Sequence, residues 1–298
     1  MHGLTLLLPD FGMILLGILL RKTLLKDGAF WFGLERLVYF VLFPVLLFYA
    51  IVRTHIDWQG AAPLFLSGLA AVLSGLCVGL AGQWFFPRPP MVFASRVQCA
   101  FRFNSYIGLA VAESAFGKPG MAAMGIMLGA MVPIVNSSAV WLMARQQQAN
   151  IVRELLRNPL IVATVGGLIA NTLGFSVPDL LRPALVRLSD ASVTLGLLCV
   201  GAALQFSAIS GEVGISLWIS GTKLVVMPAV AWWVGSYLGL SGLYFGIAVL
   251  FAALPTASSA YILASRMGGD GPGVAWLISL STLTALLTLS VWLGLLPM

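Results

Sequence analysis

The sequence predicts an all-α polytopic membrane protein, on three observations. Charged residues are 9% of the 298 residues and hydrophobic ones 60%, where a water-soluble domain carries about 25% charged residues; the mean hydropathy is +1.00. Apolar stretches of roughly 20 residues, each long enough to cross a bilayer as a helix, recur along the whole length. Two of them are interrupted in matching places, at Phe101-Arg102-Phe103-Asn104-Ser105 and at Leu254-Pro255-Thr256-Ala257-Ser258-Ser259.

Segment length and breaker residues place about ten spanning helices. The expected spans are 4–21, 32–53, 60–86, 92–116, 119–144, 158–175, 184–205, 214–238, 241–266 and 272–296. The first has no basic run before it and no small-residue cleavage site after it, so it reads as a helix that stays. The third carries Gly68, Gly75, Gly79 and Gly82, small residues that let membrane helices approach closely. The fourth and ninth hold the two interruptions. Each is followed by a short Gly/Pro turn, Lys118-Pro119-Gly120 or Asp270-Gly271-Pro272-Gly273, and then by another long apolar span. The halves match weakly at an offset of roughly 150 residues, as expected of an inverted repeat. The longest polar stretch lies at the midpoint and reads as a cytoplasmic linker, 145–157, between repeats over 1–144 and 158–298.

The net charge of +6 fits Lys and Arg held in cytoplasmic loops better than a nucleic-acid partner. With the N-terminus outside, the inner side holds Arg21, Lys22, Lys26, Arg36, Arg88, Arg96, Arg145, Arg153, Arg157 and Arg266. The outer side holds only Arg53, Lys118, Arg182 and Arg187. Both termini are therefore expected outside. Cys77, Cys99 and Cys199 are far apart, without a Cys-x-x-Cys spacing, and read as small packed hydrophobes; no metal or redox site is expected.

Polar backbone at bilayer depth survives only where protein or a water-filled cavity satisfies it. A pair of interruptions, one per half, is the sequence pointer to a substrate site. Arg102 reads either as an anion clamp, since guanidinium meets carboxylate with two parallel hydrogen bonds, or as an arginine that snorkels to the interface. Asn104 and Ser105 offer neutral donors and acceptors, and the half-helix after them presents N–H groups and a positive dipole end. Pro255 removes one N–H and kinks the helix, and Thr256 is expected to cap the half that follows. Asn136, buried in the fifth span, needs a partner on another helix or on a substrate. Asp190 and Glu113 are candidates for a coupling proton or sodium ion, and equally for solvated helix ends. Lys223 is expected to snorkel to the inner face. The chain has no Ser/His/Asp set, no P-loop and no paired metal-ligand spacing, so an enzyme is not expected.

Several passages, in order and spacing, resemble the auxin efflux carrier family, which includes plant PIN-type carriers and bacterial permeases for malate, malonate and related acids. They are Arg21-Lys22 to Leu25, Leu37 to Pro44, Phe101-Arg102-x-Asn104 leading to Gly108, Asn158-Pro159-Leu160-Ile161, Pro255-Thr256-Ala257 through Tyr261, and Leu280-Ser281-Thr282-Leu283. The resemblance implies two inverted five-helix repeats whose fourth and ninth helices unwind and cross. It also implies a scaffold of helices one, two, six and seven, often dimeric, beside an elevator-like transport domain, in a plasma or bacterial inner membrane. Two departures stand out. Many relatives carry asparagine where this chain has Ser259, and Phe103 intrudes between Arg102 and Asn104.

The expected activity is thus secondary transport of a small organic anion, a mono- or dicarboxylate, bound by Arg102, Asn104, Ser105, Asn136, Pro255, Thr256 and Ser259. No cofactor is expected beyond a coupling ion, H+ or Na+. The alternatives are a sodium-coupled symporter of the bile-acid type and a non-transporting membrane subunit. Topology is open to direct measurement: tags at both termini should be reached by membrane-impermeant reagents in intact cells. Protection of both termini would overturn the orientation, and protection of one alone would remove the even span total that two odd-numbered, inverted halves require.

Overall fold

The computed structural model describes residues 2–53, 58–143, 159–204 and 213–296. The described residues form helices and short connections, without a strand. In order they are α1 (His2–Lys22), α2 (Gly28–Val52), α3 (Trp58–Phe85), α4 (Pro90–Val97), α5 (Ser105–Met143), α6 (Pro159–Thr172), α7 (Arg182–Ala203), α8 (Val213–Tyr237), α9 (Gly242–Ala253), α10 (Ser259–Arg266) and α11 (Gly271–Leu295). The expected linker 145–157 lies outside the described residues. The expected fourth and fifth spans meet within α5 at Gly117, whose φ of 65° and ψ of −160° suit glycine. The next proline, Pro119, then opens a new run of helix.

Six stretches are long and apolar enough on their own to cross a bilayer: Gly28–Val52, Ala62–Phe85, Pro90–Met143, Arg182–Ala203, Val213–Tyr237 and Gly271–Leu295. Large apolar side chains such as Leu15, Leu19, Leu73, Trp84, Val162, Ile169, Leu287 and Val291 point outward. Arg96, Gln98, Arg102, Asn104, Lys223, Thr256 and Thr282 are buried inside. A soluble protein would expose such polar groups; in lipid they must face protein or a cavity.

Two helices widen into π-helical turns, at Val38–Leu42 in α2 and Thr222–Val226 in α8, each in the turn before a proline, Pro44 or Pro228. Proline has no N–H for the carbonyl four residues back and its ring collides with that carbonyl, and the wider turn makes room. In α8 the carbonyl concerned, that of Leu224, accepts from Trp292 Nε1 on α11 at 3.0 Å.

Two groups of helices can be followed through the packing, and they also touch each other, α1 on α11 and α2 on α5. α1 lies along α7, and α2 packs on α6 and α7; Asn171 Nδ2 donates to Ile51 O (2.9 Å) and Val52 O (3.2 Å), capping the end of α2. In the second group α3 lies along α8 and α9, α9 packs on α5 and α11, and α10 on α11. Ser67 Oγ donates to Ala231 O at 2.9 Å and Trp218 Nε1 to Val78 O at 2.8 Å, tying α3 to α8. At the tightest approach of α1 and α7, a methyl on Gly17 would land on the Leu198 carbonyl and one on Gly201 on the Ile14 carbonyl. Backbone-to-backbone contact of this kind supplies the dispersion energy that holds membrane helices together.

Gly201→Ala should therefore push α1 from α7 and cost about 1–3 kcal/mol, read as a lower melting temperature of detergent-purified protein. Gly12→Ala, with open space around its added methyl, should leave the melting temperature unchanged.

Candidate functional site

α4 tightens into a 3-10 turn at Gln98–Ala100 and the chain then runs non-helically through residues 101–104 before α5 starts. α9 stops at Ala253 and residues 254–258 are non-helical before α10. The two breaks lie against each other. Asn104 N–H donates to Pro255 O at 2.9 Å, and Thr256 Oγ donates to Cys99 O at 2.8 Å. Thr256 N–H goes to Ser281 Oγ on α11 at 3.2 Å. The Ala252 carbonyl, left over at the end of α9, accepts from Lys223 Nζ at 2.9 Å. Gln98 Nε2 donates to Ser95 O (2.9 Å) and Ala260 O (3.4 Å). Each break thus supplies partners for the other.

Two expectations are corrected here. Thr256 does not cap the helix after it, because α10 starts at Ser259, three residues on, and the hydroxyl instead bridges to the opposite break. Lys223 does not snorkel; it is 0% exposed and turned inward, because an orphaned helix-end carbonyl and the negative end of the α9 dipole lie on that side. Arg96, counted with the inner loops, is buried within α4 and paired with Asp270, which also caps α11 through Gly273 N–H at 3.0 Å.

Arg102 is 6% exposed and inside the crossing. Its guanidinium donates to Gln98 Oε1 (2.9 Å), Asn136 Oδ1 (3.2 Å) and Ser259 Oγ (2.9 Å). All three acceptors are neutral, and Arg102 forms no ion pair among the described residues. Its hydrogen bonds are met and its charge is not. Asn104, 1% exposed, caps α5: its Oδ1 accepts from Tyr106 N–H (3.0 Å) and Ile107 N–H (3.3 Å). Its Nδ2 is buried with no hydrogen-bond partner among the described residues. Buried polar groups are almost always paired, and an orphaned one marks strain or a missing ligand.

Three cavities adjoin the crossing and share Tyr39 and Ser259. One of about 140 Å³ is lined by Arg102, Ser105 and Asn136, and one of about 60 Å³ by Asn104, Ser105 and Glu35. A vestibule of about 490 Å³, with Glu35 and Arg36 on its wall, lies beside them. The inner spaces are well below the size of pockets for drug-like ligands. Of the expected site residues, Arg102, Asn104, Ser105, Asn136, Pro255, Thr256 and Ser259 come together at the crossing. Glu113 and Asp190 line none of these cavities; Glu113 has Asp190, Asp10, Lys118 and Arg53 as its electrostatic neighbours. Sequence reading missed Gln98, Tyr39 and Glu35. Gln98 stands four residues before Arg102, one helical turn away, and Glu35 is a carboxylate within an apolar span, the same signal that singled out Arg102.

The membrane transport protein family model matches residues 142–293. The chain is 25% identical over 287 residues to a protein of Methanothermobacter thermautotrophicus named "Uncharacterized transporter", across 94% of each chain. It is 25% identical over 305 residues to a Rhizobium meliloti protein named "Putative malonate transporter", across 96% of this chain and 93% of that one. It is 21% identical over 231 residues, 75% of each chain, to an uncharacterized transporter of Methanocaldococcus jannaschii.

The bonds between the breaks make a stability prediction. Thr256→Ala strands the buried Cys99 carbonyl and Lys223→Met strands that of Ala252, each at about 1–3 kcal/mol. Both variants should melt below wild type in detergent. Thr284→Ala, which removes a hydroxyl bonded only within its own helix on an exposed face, should not.

Proposed function

This chain belongs to the membrane transport protein family, that of the auxin efflux carriers, and from that membership we propose that it is a secondary transporter of a small organic anion, a mono- or dicarboxylate, bound where the two broken helices cross. The observation that carries the reading is the pairing, in one buried place, of a guanidinium with only neutral partners and an amide donor with none. A carboxylate is the complement of both: it supplies the countercharge that Arg102 lacks and an acceptor for Asn104 Nδ2. Ser105 and the first turn of α5 add a hydroxyl and the positive end of a helix dipole. The name of the Rhizobium meliloti relative makes malonate the first anion to try.

Transport follows an alternating-access cycle. The group α1, α2, α6 and α7 is the scaffold of this reading, and the group carrying both breaks is the moving body, with the substrate between them. Taken with residues 1–144 and 158–298 as inverted five-helix repeats, α4 with the first part of α5 forms one broken span and α9 with α10 its counterpart. The vestibule lies beside the first half of α2 and beside α10, which face the cytoplasm when both termini are outside. The cavities between α2 and the breaks leave room there for a rigid-body movement of one group against the other. A homodimer through the scaffold and an address in the bacterial inner membrane complete the proposal.

Binding of malonate to purified protein tests it. Asn104→Asp keeps an oxygen to cap α5 but replaces the free donor by a carboxylate. It should retain the wild-type melting temperature and lose malonate binding. Asn104→Ala loses the donor and the cap together, so its affinity should fall about tenfold or more, for roughly 1.5–3 kcal/mol of charge-assisted hydrogen bond, with a lower melting temperature as well. Arg102→Lys keeps the charge without the fork and should bind more weakly than wild type but better than Arg102→Ala. Wild-type affinity in Asn104→Asp and Arg102→Ala together would place the substrate elsewhere.

A further inference from the structure

Glu35 faces the crossing from α2. Its side chain lines both the 490 Å³ vestibule and the 60 Å³ cavity at Asn104, so it stands at the neck between them. It is half-buried and forms no ion pair or side-chain hydrogen bond among the described residues. Its neighbour Arg36 does not neutralise it: that guanidinium lies over the Phe32 ring, 5.8 Å from the centroid. The other titratable or charged groups around Glu35 are few. They are Tyr39 on α2, Tyr106 on α5, the buried Cys199 on α7 and Arg102 across the cavities; α10 lines the vestibule with Ser259 and Leu263, which do not titrate, and the side chain of its Arg266 lies outside the described residues. α6 contributes none.

An anion entering the cavities meets Arg102 and the Asn104 donor on one side and this carboxylate on the other. In a site screened from bulk water, like charges a few ångströms apart repel strongly. A protonated Glu35 removes the repulsion and adds an O–H donor aimed at the same space. We infer that Glu35 takes up one proton as the anion binds, making this the site where proton and anion are coupled. The inference rests on the anion site proposed above. One proton passes from bulk water to a Glu35 carboxylate oxygen, forming one O–H bond and cancelling one of the negative charges that enter. When the anion leaves on the other side, the bond breaks and the proton returns to water. Asp190 and Glu113, the carboxylates that the sequence offered for coupling, line none of the cavities through which the anion would pass.

The test is malonate added to weakly buffered, detergent-purified protein with a pH-indicating dye, with Kd measured in parallel by calorimetry between about pH 5 and 9. E35Q keeps the shape of the side chain and cannot titrate, so it reports any proton carried by malonate itself. Wild type should take up close to one proton per malonate more than E35Q does. Its Kd should rise by up to about tenfold per pH unit on the alkaline side, while that of E35Q stays flat there. E35D, which restores a carboxyl, should recover the uptake, and it stands in for E35Q if the latter does not purify as folded protein: a shifted pH midpoint supports the inference and an unshifted one overturns it. Equal uptake by wild type and E35Q, or parallel pH profiles, overturns the role of Glu35 and leaves the anion site standing wherever Asn104→Asp still abolishes binding. No malonate binding to wild type at any pH removes both.

Discussion

Every backbone N–H and C=O at bilayer depth needs a protein partner, and the two helix breaks could not exist singly. An interrupted helix frees carbonyls on one side and amides on the other, and lipid answers neither. Here the answer is reciprocal. The amide of Asn104 goes to the carbonyl of Pro255, and the hydroxyl of Thr256 to the carbonyl of Cys99. Lys223 and Ser281 close what remains from α8 and α11. The position of α8 and α11 around α9 is thus part of what lets the breaks persist at depth.

At the crossing, what is left over is one amide donor, Asn104 Nδ2, and one charge without an ion pair among the described residues, that of Arg102. Elsewhere Arg96 is paired with Asp270, and Trp292 with the carbonyl that Pro228 frees. Arg102 has hydrogen bonds without countercharge, and Asn104 keeps one donor unspent while its oxygen holds the start of α5. Leaving a buried charge uncompensated costs stability unless something else supplies the opposite sign. The anion proposed above would supply it.

The helices that hold the crossing and those that face it are packed by different means. α1 and α7 meet through glycines at backbone contact, whereas α3 and α8 add side-chain hydrogen bonds to main-chain carbonyls. Between the two groups, packed contacts such as the ring stack of Phe43 on Tyr106 at 4.3 Å lie beside cavities that have Glu35 and Tyr39 of α2 on one wall and the breaks on the other.

The sequence by itself determined what depends on a short window: the membrane class, the helix extents to within a few residues, and the placement of both breaks, because length, hydropathy and breaker residues act locally. It also brought out Arg102, Asn104, Ser105, Asn136, Pro255, Thr256 and Ser259 as polar groups at depth, and the structure gathers them. Only the tertiary structure decided where each of those groups points. Sequence alone suggests that Thr256 caps its own helix, but it bridges to Cys99, 157 residues away; sequence alone suggests that Lys223 reaches for the interface, but it reaches for Ala252. Glu35 acquires meaning only because α2 is set opposite the crossing. The physical reason is that a polar side chain in an apolar helix announces a need for a partner, while the identity of that partner is fixed by which helix faces turn toward each other, and no local window contains that.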